Sequence, residues 1–136
     1  MKILVIDGQG GRIGKALVEE LRRLGFTGRI TAVGTNSAAT AAMLKAGADE
    51  GATGENPVVV GARRADVIMG PMGIVAANSL LGEITPAMAL AVSESEARKV
   101  LVPVNRCRIR VAGVQELPLG EYTALAAQLA LEAGEE

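Results

Sequence analysis

The chain has 136 residues, a formal net charge of −1, no histidine and a single cysteine, Cys107. That composition excludes disulfide scaffolds, ordinary zinc centres and every Ser-His or Cys-His catalytic arrangement. With Phe26 and Tyr122 as the only aromatic residues and no long basic block, neither nucleic acid nor a membrane is an expected partner, and the core must be aliphatic.

One domain spanning 1–136 is expected, in a reducing cytoplasm. The apolar residues 3–6 stop at Asp7, too few for the apolar region of a signal peptide. The longest uncharged run, 67–82, is interrupted by Pro71 and three glycines, and is shorter than the ~20 apolar residues of a membrane span.

Strand-like and helix-like stretches alternate along the chain, which predicts a single-domain Rossmann-like α/β fold: a mostly parallel sheet with helices on both faces. Residues 2–6 form a strand. A helix follows over 12–24, burying Ile13, Ala16, Leu17, Leu21 and Leu24, with Glu19 and Arg23 at i,i+4 spacing and Gly25 ending it. Residues 29–33 are the second strand, and the turn 34–37 caps an alanine-rich helix that Gly47 closes.

Residues 48–55 are glycine-rich and suit a short edge strand. Asn56-Pro57 signals a helix start, 66–69 a buried strand, 74–81 a helix, and Thr85-Pro86 a further helix through 93. Residues 99–102 form a strand that Pro103 terminates, and 106–111, alternating basic and apolar, suggest one more half-buried strand. A C-terminal helix over 118–133 is expected to bury Tyr122, Leu125, Ala126 and Leu129.

Chemistry concentrates between the first strand and the first helix, in Asp7-Gly8-Gln9-Gly10-Gly11-Arg12-Ile13-Gly14. Glycines permit a tight turn and close approach of a ligand, and the unpaired amides of a helix start suit a phosphate. The Gly-x-Gly-x-x-Gly dinucleotide spacing fails at Ile13, whereas Gly8-x-x-Gly11-x-x-Gly14 is complete. Two roles fit the loop: a phosphate cradle, or a turn that packs the helix closely on the sheet.

About twenty residues further on, NAD enzymes carry an acidic residue for the ribose, and this chain has Gly34-Thr35-Asn36-Ser37. That turn favours NADP(H), a mononucleotide or another phosphorylated ligand. The remaining strand ends add Gly70, Pro71, Asn78 and Asn105, so the expected binding set is Gly8 to Gly14 with Thr35, Asn36, Ser37 and those four residues. Amides and hydroxyls there can bond a sugar or base without adding charge, though each is also a common cap or turn residue.

Asp7 is the one candidate for catalysis or magnesium binding; its other role is to accept hydrogen bonds from the loop amides. No metal site is expected. Cys107 is either a reactive thiol between Arg106 and Arg108 or a small buried apolar residue.

The string Gly10-Gly11-Arg12-Ile13-Gly14 resembles the cofactor loop of dihydrodipicolinate reductases, a likeness confined to the first helix and what precedes it. Over its full length the chain resembles a family of short bacterial proteins known as a domain of unknown function. The residues carrying that resemblance are 6–11, Gly34-Thr35-Asn36, 51–56, Gly70-Pro71 with Asn78-Ser79, and Asn105-Arg106-Cys107. It implies a Rossmann-like fold and no particular activity.

The expected function is therefore nucleotide binding, in an NADP(H)-dependent oxidoreductase or in a non-catalytic nucleotide-binding or sensing module. Phosphoryl chemistry at Asp7 with a metal is a third reading. The uncharged run 67–82 and the apolar helix 86–92 suggest a homodimer.

Overall fold

The computed structural model describes residues 1–104 and 108–135. In chain order the elements are β1 (Lys2–Asp7), α1 (Arg12–Arg23), β2 (Arg29–Gly34), α2 (Ser37–Ala46), β3 (Glu50–Thr53), α3 (Glu55–Arg64), β4 (Val67–Pro71), α4 (Pro86–Glu94), β5 (Arg98–Val102) and α5 (Leu119–Ala133). A single 3-10 turn, Met72–Val75, follows β4.

All strand pairings are parallel, and the sheet order is β3-β2-β1-β4-β5. The chain winds outward from β1 in one direction and then returns to β4 on its other side. The C-terminal ends of β1 and β4 therefore flank the switch point, where a crevice forms in such sheets.

Alternation along β1 assigns its side chains to two cores. Ile3 and Val5 join Leu17, Val18, Leu21, Met43, Tyr122 and Ala126 under α1, α2 and α5, while Leu4 and Ile6 join Val58, Ala62, Ile74, Met88 and Val92 under α3 and α4. Asp7, the last residue of the strand, is only 3% exposed. No helix of the described residues is long and apolar enough to cross a membrane.

Several local expectations need correction. Residues 74–81 do not form a helix. Beyond the 3-10 turn the chain makes a series of turns, with Asn78, Leu80, Leu81 and Gly82 in the left-handed region at φ 67, 56, 57 and 87°. Tertiary contacts override local propensity here: the Ser79 hydroxyl donates to the Gly73 carbonyl, and Asn78 N–H donates to the Ile84 carbonyl at 2.7 Å.

Of the strand expected over 106–111, residues 106 and 107 lie outside the described residues; 108–111 are in no strand and all four are exposed, and among the described residues the sheet ends at β5. The helix at Asn56-Pro57 begins at Glu55, with Gly54 as its N-cap.

On α1, Val18 is buried where Leu24 was expected, and Glu19 pairs with Lys15 while Arg23 pairs with Glu20. On α5 the small residues Ala126, Ala127 and Ala130 face the core and allow close approach, leaving Leu125 and Leu129 outside at 51% and 53% exposure.

Candidate functional site

The loop leaves β1 at Asp7 and enters α1 through Gly11, whose φ of 74° makes it a left-handed N-cap with no side chain to cap the helix. Asp7 supplies the missing cap from the strand end. Its Oδ1 accepts the Gly8 amide at 2.8 Å and its Oδ2 the Gly14 amide at 2.7 Å. Burial, the largest influence, pushes the carboxyl up from 3.8; the amides of Gly14, Gly8 and Ile13 oppose that rise, and the charge of Glu83 adds to it.

The glycines divide by what surrounds them. A Cβ on Gly11 would meet the Ala39 Cα at 2.8 Å, and one on Gly8 the Thr35 Oγ1 at 2.6 Å and the Glu83 Oε1 at 2.9 Å. Gly14 lies against the Met43 side chain, and Gly70 against the Ile6 carbonyl. Gly11 and Gly70 are required by backbone packing, whereas a Cβ at Gly8 or Gly14 would displace neighbouring side chains. Gly10 differs, because a Cβ there would meet nothing within 4 Å.

The loop amides divide in the same way. Gly8 and Gly14 donate to Asp7, Gln9 donates to Glu83 at 2.9 Å, and Gly11 donates to the Gly8 carbonyl at 2.9 Å. No hydrogen bond among the described residues uses the amides of Gly10 or Arg12. The Arg12 guanidinium likewise has no ion-pair partner among them. Residues 7–13 line a cavity of about 290 Å³ whose far wall is Val104, just beyond β5, and Leu119, the first residue of α5.

On the other side of the loop, at the end of β2, Thr35 and Asn36 converge on Glu83. The Thr35 hydroxyl donates to Glu83 Oε1, and Asn36 Nδ2 donates to the same oxygen at 2.9 Å and to the Gln9 carbonyl at 2.8 Å. Asn36 also caps α2, its Oδ1 accepting from the Ala39 amide at 2.9 Å. The Thr35 hydroxyl is the main influence holding the Glu83 carboxyl below its ordinary 4.5, with the Gln9 and Asn36 donors adding to it.

The fold thus brings residues 7–14, Thr35 and Asn36 together. Ser37 is an exposed first residue of α2, Gly70 and Pro71 are buried in β4, and Asn78 is an exposed turn residue. Asn105 and Cys107 lie outside the described residues.

Glu83, Val104 and Leu119 escaped sequence reasoning as parts of the site. Glu83 is legible only once 74–84 is read as a loop after a switch-point strand, and its helical hydrophobic spacing hides that.

A family model, Domain of unknown function (DUF3842), matches residues 2–133. No curated protein matches the chain. Among solved structures, AibC is 22% identical with a TM-score of 0.51, over 97% of this chain and 39% of that one, a likeness that bears on the fold alone.

A prephenate dehydrogenase from A. aeolicus, solved with hydroxyphenyl propionate and NAD+, is 29% identical over 52% of this chain and 24% of its own, with a TM-score of 0.42. A dodecameric FMN-dependent UbiX-like decarboxylase from Escherichia coli O157:H7 is 21% identical over 99% of this chain and 76% of its own, with a TM-score of 0.47. The chain spans well under half the length of the first two.

Proposed function

We propose that this chain, which belongs to the DUF3842 family, is a nucleotide-binding module whose glycine loop receives a phosphate on the amides of Gly10 and Arg12. The observation that carries this reading is the division of the loop. Asp7, Glu83 and the Gly8 carbonyl occupy the other donors, and the two residues whose amides remain, Gly10 and Arg12, both line the cavity. An anion there gains from the N-terminal dipole of α1 and from the guanidinium.

An oxidoreductase and a non-catalytic module both use such a site. One observation favours the module: Asp7, the carboxylate that lines the cavity, spends both oxygens on capping the loop and helix. The case for NADP(H) rested on the uncharged residues 34–37, and the Glu83 carboxylate now stands beside them. The ligand class is therefore a phosphorylated nucleotide, without the 2'-phosphate being implied.

Amide chemical shifts during titration with ADP test the proposal. Saturable shifts centred on Gly10 and Arg12 are expected, and shifts confined to other regions, or none at millimolar ADP, would overturn it.

Self-association as a homodimer is also proposed. The run 67–82 is largely absorbed into the core, so the proposal now rests on the exposed Leu81, Leu90, Leu125 and Leu129. A monomer mass in light scattering at micromolar concentration would refute it. Residence in a reducing cytoplasm is proposed from the lone cysteine.

A further inference from the structure

The acidic residue missing from the end of β2 is supplied in space by a different loop. Dinucleotide sites of this fold hold a carboxylate at the C-terminal end of β2, beside the glycine loop, where it accepts hydrogen bonds from the adenosine ribose. Glu83 meets that description from 47 positions beyond Asn36.

Its Oε1 gathers the Gln9 amide of the β1 loop with the Thr35 hydroxyl and Asn36 amide of the β2 end. None of the hydrogen bonds of the described residues reaches Oε2. We infer that Glu83 is the ribose-reading residue of the site, selecting an adenosine with free 2'- and 3'-hydroxyls over one that bears a 2'-phosphate.

Three features carry the inference, which rests on the nucleotide reading above. The carboxylate is oriented in advance, because three donors from two elements fix one oxygen and leave the other as an acceptor.

The segment that delivers Glu83 is itself fixed: Ile84 N–H donates to the Ser79 carbonyl at 3.1 Å, and Leu80 is 4% exposed beside Gly8. The cation that a 2'-phosphate would need is on the wrong side. Arg12 lines the cavity toward Val104 and Leu119, which includes none of Thr35, Asn36 or Glu83.

Calorimetry with AMP and adenosine 2',5'-bisphosphate tests the assignment. Wild type should bind AMP at least about tenfold tighter, and Glu83→Gln should bring the two within about threefold of each other, since a carboxylate beside the ribose repels a 2'-phosphate and the neutral amide removes the repulsion. A variant-free reading comes from 2',3'-dideoxy-AMP, which wild type should bind several-fold more weakly than AMP, whatever the folding of Glu83→Gln.

Equal or reversed affinities in wild type, no loss with the dideoxy nucleotide, or a preference that survives in folded Glu83→Gln would each overturn the assignment while leaving nucleotide binding intact. Binding of none of these nucleotides would bring down the nucleotide reading together with it.

Discussion

Glu83 Oε1 accepts the Gln9 amide proton at 2.9 Å across 74 positions of sequence, tying the connection between β4 and α4 to the glycine loop that follows β1. The same oxygen holds Thr35 and Asn36, so one carboxylate joins the three loops that follow β1, β2 and β4. Glu83 and Asp7 engage the amides of Gln9, Gly8 and Gly14, the Gly8 carbonyl engages that of Gly11, and no hydrogen bond among the described residues uses those of Gly10 and Arg12.

That tie predicts a pH dependence with a definite sign. Glu83 is held below its ordinary 4.5 in the folded protein, so its contribution to stability is complete above that value and is lost as pH falls through the lowered one. Asp7 runs the other way. Its carboxyl is raised from 3.8 by burial, so its ionisation opposes folding as pH rises through the raised value. The gap in melting temperature between wild type and Glu83→Gln should be constant above about pH 5 and close on acidification. A gap that widens toward low pH would contradict the tie.

Asp7→Asn separates a cap from a ligand-binding or catalytic carboxylate. The asparagine keeps one acceptor, loses one capping bond and removes a buried charge, so stability should change by only about 1 kcal/mol. Affinity for ADP should rise several-fold, because a negative charge behind the phosphate is gone. Thermal melts and calorimetry measure the two effects. A tenfold loss of affinity in the folded variant would assign Asp7 to the ligand instead.

Much of the architecture is legible in the sequence because it is written locally. The apolar run of β1, the Asn36 and Thr85 caps and the glycine at 47 each specify a strand or helix boundary through their own chemistry, and the structure has them. The failures are where distant contacts decide.

Nothing local in Leu80-Leu81 announces a left-handed backbone. The alanines of α5 outcompete its leucines for the core because the helix packs close to the sheet. Glu83 was hidden for the same reason: a carboxylate twenty residues past the loop is found by counting, whereas one carried in by another crossover is found only from the topology. The glycine pattern was visible, but which glycine packs and which opens onto the cavity depends on Ala39, Met43 and Thr35 in three dimensions.

Leu81 offers a test of the loop that delivers Glu83. Its φ is 57° and its side chain is 94% exposed, so it carries backbone strain without packing in return. Leu81→Asn should stabilise the protein by about 0.5–1 kcal/mol, since asparagine tolerates this region better. The melting temperature should rise by a few degrees. A fall would mean that the leucine is covered in solution, and would favour the homodimer.

The most direct test of phosphate binding at the loop is calorimetric titration of ADP into wild type and Gly10→Val, with Gly11→Val as the contrast. Gly11→Val should lose roughly 3 kcal/mol of stability or more, because its Cβ meets the Ala39 backbone at a left-handed position; loss of binding there would say nothing about the ligand. Gly10 faces open space, so Gly10→Val should melt within about 1 kcal/mol of wild type. The account predicts that wild type binds ADP saturably and that this well-folded variant binds it at least about tenfold more weakly, its side chain filling the phosphate position. Equal affinity in the two proteins would contradict it.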